Sequence, residues 1–222
     1  MSNVTSRGYR ISYTTHGEGP PIVMIPGLTM HAAQWIDDGY VEALADDFRL
    51  VCVDPLGHGD SEKPHDADAY RTPDVVADIL AVLDAEQIGA ATWWGFSRGG
   101  SMAVDAAFLH PERVRALVIG DAPIFRGETS HPGMGGVFES DETLRGLWAA
   151  MGVTDDARID AFAAINDALA LGAAYHGSTG PMPDISLIPI PMVAYTSGQF
   201  TPDPDDWMTG FLTANNAEIH TI

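Results

Sequence analysis

The chain has 222 residues, 45% of them hydrophobic and 19% charged, an ordinary mix for one globular domain with a sizeable core. Its formal net charge of -20, from 31 acidic and 11 basic residues, repels phosphate backbones and argues against nucleic-acid binding. No apolar run reaches membrane-spanning length, the polar stretch Met1 to Arg10 lacks a signal-peptide core, and the single cysteine, Cys52, allows no internal disulfide; a cytoplasmic chain without membrane contact is expected.

In chain order, Tyr9 to Thr15 alternates and reads as an early strand. Ile22-Val23-Met24-Ile25 is a short apolar run closed by Pro26-Gly27, the pattern of a buried parallel strand. Trp35 to Ala45 reads as a helix, and Leu50 to Val53 as a second buried strand ending in Asp54-Pro55-Leu56-Gly57-His58-Gly59. Thr72-Pro73-Asp74 opens a helix running through Leu83, because proline is favoured in a first turn. Ala91 to Phe96 is a third buried strand, Ser97 to His110 a helix stopped by Pro111, and Val114 to Ile119 a fourth. This alternation predicts an α/β fold, a mostly parallel sheet flanked by helices. The pattern breaks near Pro123, and 123–187 reads as an insertion between core segments 1–122 and 188–222. Within it, Asp141 to Met151 and Asp155 to Leu171 are helical. Ile190 to Tyr195 resumes the strand pattern, Asp206 to Ala214 reads as a helix and Ala217 to Ile222 as a final strand.

Trp94-Gly95-Phe96-Ser97-Arg98-Gly99-Gly100 carries the chemistry. A serine between two glycines, on a sharp turn from strand to helix, has its hydroxyl thrust clear of the sheet. The alternative is an ordinary helix N-cap serine. A nucleophile also needs backbone N–H groups aimed at the developing oxyanion. Arg98, next in the chain, and Leu28, in the loop Pro26-Gly27-Leu28-Thr29, are the candidate donors.

Three segments together, Met24 to Gly27, Asp54 to Ser61 and Gly95 to Gly99, resemble the α/β-hydrolase superfamily in its bacterial form with a helical lid after the sixth strand. Relatives often have His-Gly where this chain has Pro26-Gly27. The resemblance implies a serine hydrolase with Ser97 as nucleophile and an acid and a histidine later in the chain. Two positions could hold the acid. After the seventh strand, Gly198-Gln199-Phe200-Thr201-Pro202-Asp203 has threonine where aspartate is usual, with Asp203 two residues late. After the sixth strand, Asp121 stands at the strand end and is preferred. Asp54 and His58 read as turn-forming and structural.

No histidine reads as a convincing base. His220 lies inside the last expected strand, His110 ends the helix that Ser97 begins, and His131 and His176 fall in the solvent-facing insertion. The C-terminal end therefore reads as truncated before its catalytic histidine and covering helix, leaving apolar area near Ile219 and Ile222 open.

The expected substrate is a small carboxylic ester or lactone. The alternatives are a non-catalytic or base-deficient binding protein on the same fold, and a C–C bond hydrolase or perhydrolase using the same triad. Cofactors are not implied, and no Cys/His cluster suggests a metal. A monomer or homodimer is expected. In the insertion, Met134, Phe138, Trp148, Met151, Phe162 and Tyr175 are candidates for lining an acyl pocket or for sealing the lid.

Overall fold

Apolar runs too short for buried helices become the middle of one sheet. The computed structural model describes residues 1–122, 134–150, 152–178, 188–196 and 219–221. Its strands are β1 (Ser2–Ser6), β2 (Tyr9–His16), β3 (Pro21–Ile25), β4 (Arg49–Asp54), β5 (Ala91–Phe96), β6 (Val114–Gly120), β7 (Met192–Thr196) and β8 (Ile219–Thr221). They lie side by side in the order β1-β2-β4-β3-β5-β6-β7-β8. The β1–β2 and β2–β4 pairs are antiparallel; from β4 through β8 the pairing is parallel. The expected mostly parallel sheet with flanking helices is the observed one.

Register sorts the side chains between two faces. The row Val51, Val23, Trp93, Leu117 and Met192 joins the main core, which includes side chains of α3 (Thr72–Ala85) and α4 (Arg98–Leu109). In the next row, Cys52, Met24 and Trp94 pack with Trp35 and Tyr40, from α1 (Gln34–Asp37) and α2 (Tyr40–Leu44). Further along that row Val193 is 46% exposed. Cys52 is fully buried, and burial pushes its thiol up to about 12.

Three elements depart from the sequence expectation. Strand β1 is hidden in a polar stretch; its hairpin with β2 turns at Arg7, φ 51°, and Gly8, φ 92°. The Arg7 guanidinium then grips the buried Asp78 of α3 with two bonds, Nε to Oδ1 at 3.0 Å and Nη2 to Oδ2 at 2.6 Å. The helix expected from Trp35 to Ala45 is two short ones, because Gly39 takes a left-handed φ of 83° between them. The helix expected from Asp155 to Leu171 is likewise two, α6 (Asp156–Ile165) and α7 (Ala168–Gly177). Asn166 and Asp167 are extended there, and the Asp167 carboxylate caps α7 by accepting from the Ala170 N–H at 3.0 Å. Capping a new helix has displaced continuation of the old one.

With α5 (Asp141–Ala150), these helices lie between β6 and β7 in the chain. They bury a small cluster of their own, Phe138, Leu144, Trp148, Ile159, Ala168, Leu171 and Tyr175, with Phe162 at its edge. Three of the proposed pocket aromatics, Phe138, Trp148 and Tyr175, therefore seal the insertion. The boundaries 122–123 and 187–188 each abut undescribed residues. The expected helix Asp206–Ala214, Asp203, His131, Met151, Ile222 and the side chain of Met134 lie outside the described residues. No helix among those described is long and apolar enough to cross a membrane.

Candidate active site

Strand β5 ends at Phe96 and α4 begins at Arg98, so the whole reversal falls on Ser97, at φ 50° and ψ -118°. A side-chain-bearing residue held there costs on the order of 1–3 kcal/mol. Neighbours over-determine it. The Ser97 N–H donates to the Gly120 carbonyl at 2.7 Å, and the Ser97 carbonyl accepts from the Gly100 and Ser101 N–H groups at 2.9 and 3.2 Å. The flanking glycines are demanded by space. A Cβ on Gly95 would stand 2.2 Å from the Gly99 carbonyl oxygen, and one on Gly99 2.2 Å from that of Ile25. The Ser97 side chain makes no capping bond to α4, so the ordinary N-cap reading does not describe it. Its hydroxyl makes no hydrogen bond with any described residue.

The loop after β3 presses on this turn. A Cβ on Gly27 would come 3.2 Å from Ser97 Cβ. The Met30 N–H donates back to the Gly27 carbonyl at 3.1 Å, and between them Thr29 sits at φ 74°. That conformation is uncomfortable for a β-branched residue. Among the described residues no acceptor takes the Leu28 N–H. The Leu28 side chain touches both the main core and the insertion cluster. Arg98 occupies the first position of α4, where backbone N–H groups point out of the helix end. Its buried guanidinium reaches the insertion, donating from Nη2 to the Ala174 carbonyl at 3.2 Å.

Asp54 ties the two loops beneath the site. Its Oδ1 accepts from the Ala32 N–H at 2.7 Å, its Oδ2 from the Asp60 N–H at 3.0 Å, and its carbonyl from Ser61 Oγ at 2.5 Å. Burial pushes this carboxyl upward, and the two N–H bonds oppose the shift. His58 is fully buried with Nδ1 3.0 Å from the Leu56 carbonyl, so Nδ1 carries the proton. Burial, then the nearby Arg98 charge, push it down to about 3, and it stays neutral. Both residues shape loops, as their turn context suggested.

Asp121 directly follows β6, the strand beside β5, at the same end of the parallel strands as Ser97. It has φ 41°, and its N–H donates to the Tyr195 carbonyl at 3.1 Å. Gly120, which bonds Ser97, leaves room for the Tyr195 ring, whose outer atoms would lie 2.3 Å from a Cβ there. Burial pushes the Tyr195 phenol up to about 12, and its oxygen accepts from Trp94 Nε1 at 3.1 Å. The structure thus gathers Ser97, Arg98, Leu28 and Asp121 at one end of the parallel strands; the alternative acid Asp203 is not among the described residues.

The histidines are dispersed. His110 stands at the far end of α4, about 18 Å along a helix of this length, near Glu112 at 3.7 Å. His176 lies in the last turn of α7 and lines, with His65, Phe138 and Leu169, a groove of about 490 Å³ that contains none of the site residues. His31, which the sequence did not single out, lies in the loop after β3 with a buried Nδ1 that meets no partner among the described residues. Asn166 was missed as well. It is 8% exposed, and its Nδ2 donates to the carbonyls of Thr29 and Phe162, both at 3.0 Å. The available signal was Asn166-Asp167, two cap-forming residues inside an apparent helix. Among the described residues, no group of three or more His, Cys, Asp or Glu side chains could hold a metal ion.

Residues 20–150 match the family model described as alpha/beta hydrolase fold. The chain is 38% identical over 109 residues, 49% of its length, to a pimeloyl-[acyl-carrier protein] methyl ester esterase of Nitrosomonas europaea. It is 39% identical over 118 residues, 52% of its length, to a 2-hydroxymuconate semialdehyde hydrolase of Pseudomonas sp. strain CF600. It spans about two fifths of these relatives, 40% and 41% of their lengths. Among solved structures, an enol-lactonase from Burkholderia xenovorans LB400 superposes with a TM-score of 0.83 at 18% identity, over 100% of this chain and 91% of that one, a likeness of fold.

Proposed function

The chain belongs to the α/β-hydrolase family, and on that premise we propose that it is a serine hydrolase cleaving a small carboxylic ester or lactone through an acyl-enzyme at Ser97. The observation that carries this reading is the backbone of Ser97, held at φ 50° with its hydroxyl free of any capping bond. The Ser97 oxygen attacks the substrate carbonyl carbon. The carbonyl oxygen takes the electron pair and is held by the Leu28 and Arg98 N–H groups, each worth roughly 10²–10³ in rate. Collapse re-forms the carbonyl and expels the alcohol, which takes up a proton; water then releases the acid by the same path. Asp121 orients an imidazole outside the described residues, which takes the Ser97 proton and hands it to the departing alcohol. The helices between β6 and β7 act as a lid over the acyl group.

A fluorophosphonate probe tests the assignment. Labelling at Ser97, lost with turnover of p-nitrophenyl esters in Ser97→Ala, is the expected result; labelling at a different serine overturns it. A second reading, hydrolysis of a carbon–carbon bond by the same residues, is favoured by the 39% identity to the semialdehyde hydrolase. Turnover of a 2-hydroxymuconate semialdehyde without ester cleavage would select it.

A further inference from the structure

Asn166 joins the helical insertion to the loop that carries Leu28. Both partners of its Nδ2 are carbonyl oxygens, which fixes the orientation of the carboxamide. The other end of the group, Oδ1, is buried and meets no donor among the described residues. A buried acceptor left unmatched is costly, and native interiors seldom leave one without a use. This one is anchored to Thr29, two residues beyond Gly27, whose Cα lies against Ser97.

We propose that Asn166 Oδ1 is a specificity-determining acceptor that receives a hydroxyl on the acyl portion of the substrate. The inference rests on the reading of the Ser97 end of the strands as an acyl-binding site. The surroundings select the donor. Asn166 bonds the carbonyls of Phe162 and of Thr29, next to Leu28, and the Phe162 and Leu28 side chains pack against the apolar cluster of the insertion, so an ammonium would be stripped of water with a single neutral acceptor in return. An amide N–H would bring a carbonyl that needs a donor, and the N–H groups of Asn166 are already given to Thr29 and Phe162. A hydroxyl needs only the one bond. The same carboxamide supports the strained Thr29 carbonyl, so substrate recognition and the shape of the oxyanion loop meet in one side chain.

The test is binding of three neutral amides to the full chain by ligand-detected NMR: 3-hydroxybutyramide, 3-methoxybutyramide and butyramide. The expected result is a preference of about tenfold for the hydroxy compound over both others, the size of one net hydrogen bond. Asn166→Leu should erase that preference, whereas Asn166→Asp, which keeps an acceptor, should retain or raise it. A general loosening of the loop would weaken all three amides alike. Equal binding of the three by the native chain overturns the proposal, as does failure of all three to bind. So does a preference that survives in Asn166→Leu, or, where only Asn166→Asp folds, one that this variant loses. Binding needs no turnover, so absence of probe labelling at Ser97 would sink the hydrolase reading while leaving this result legible.

Discussion

At the turn between β5 and α4, a methyl group on Gly95 or Gly99 would stand 2.2 Å from a carbonyl oxygen of the backbone. Between β6 and β7 the helices pack instead through a cluster of side chains, with Trp148 and Phe162 rings 5.5 Å apart. The first arrangement is backbone against backbone and admits almost no alternative. The second is side chain against side chain and can repack. Under the proposed function, chemistry that needs a fixed oxygen falls on the first, and recognition of a particular acyl group on the second.

The contrast can be broken most visibly at the rigid end of the strands. Asp121→Asn is expected to lower ester turnover by about 10⁴-fold, as loss of a triad aspartate does, while circular dichroism and the unfolding midpoint stay unchanged. Asp203→Asn should do much less; reversed effects would move the acid to Asp203. Next in size is Gly99→Ala. Its Cβ meets the Ile25 carbonyl, so at least about 3 kcal/mol of stability should be lost in urea unfolding, with α4 pushed off β3. A loss under 1 kcal/mol, on the order of a surface change, would mean that the elbow is as adaptable as the helices.

Trp148→Ala probes the other side. It removes a side chain 3% exposed from the insertion cluster, at a cost of about 3 kcal/mol. Hydrogen exchange should quicken in α5 to α7 and leave β3 to β6 protected. Equal quickening in both regions would erase the distinction.

The last effect is read as a slope against pH. His58 is held neutral in the folded chain, its value lowered from 6.5 to about 3. Below 6.5 the unfolded chain takes up a proton that the folded one refuses, so stability falls as pH drops from 6.5 toward 3. The slope is about 1.4 kcal/mol per pH unit for one such group. Asp54, raised by burial, acts in the opposite sense, so the informative quantity is the difference between native chain and His58→Gln. The variant should show the shallower acid slope in unfolding between those limits; parallel curves would place His58 in contact with water.

The same contrast explains how far the sequence could be read. Gly95, Ser97, Gly99 and Gly27 were legible because close backbone approach leaves few residue choices, and each choice carries its own reason. The parallel strands were legible as short apolar runs. Strand β1 was not, because its stability comes from pairing with β2 and from Arg7 gripping Asp78 seventy-one positions away, and neither leaves a local pattern. Asn166 was hidden for a related reason. The apolar residues on both sides of it continue a helical look, and only the Asp167 cap and a partner at Thr29, far back in the chain, make it a break.

Cys52 offers a clock for the rigid region. It is the chain's single cysteine, on β4, which is paired on both edges, and it is 0% exposed with its thiol pushed up to about 12. A thiol in that state is inert to disulfide reagents, which attack through the thiolate. Its modification rate therefore counts how often the centre of the sheet opens. Under mild conditions the colour released by an aromatic disulfide should follow global unfolding alone, and loosening of the helices beyond β6 should leave it untouched.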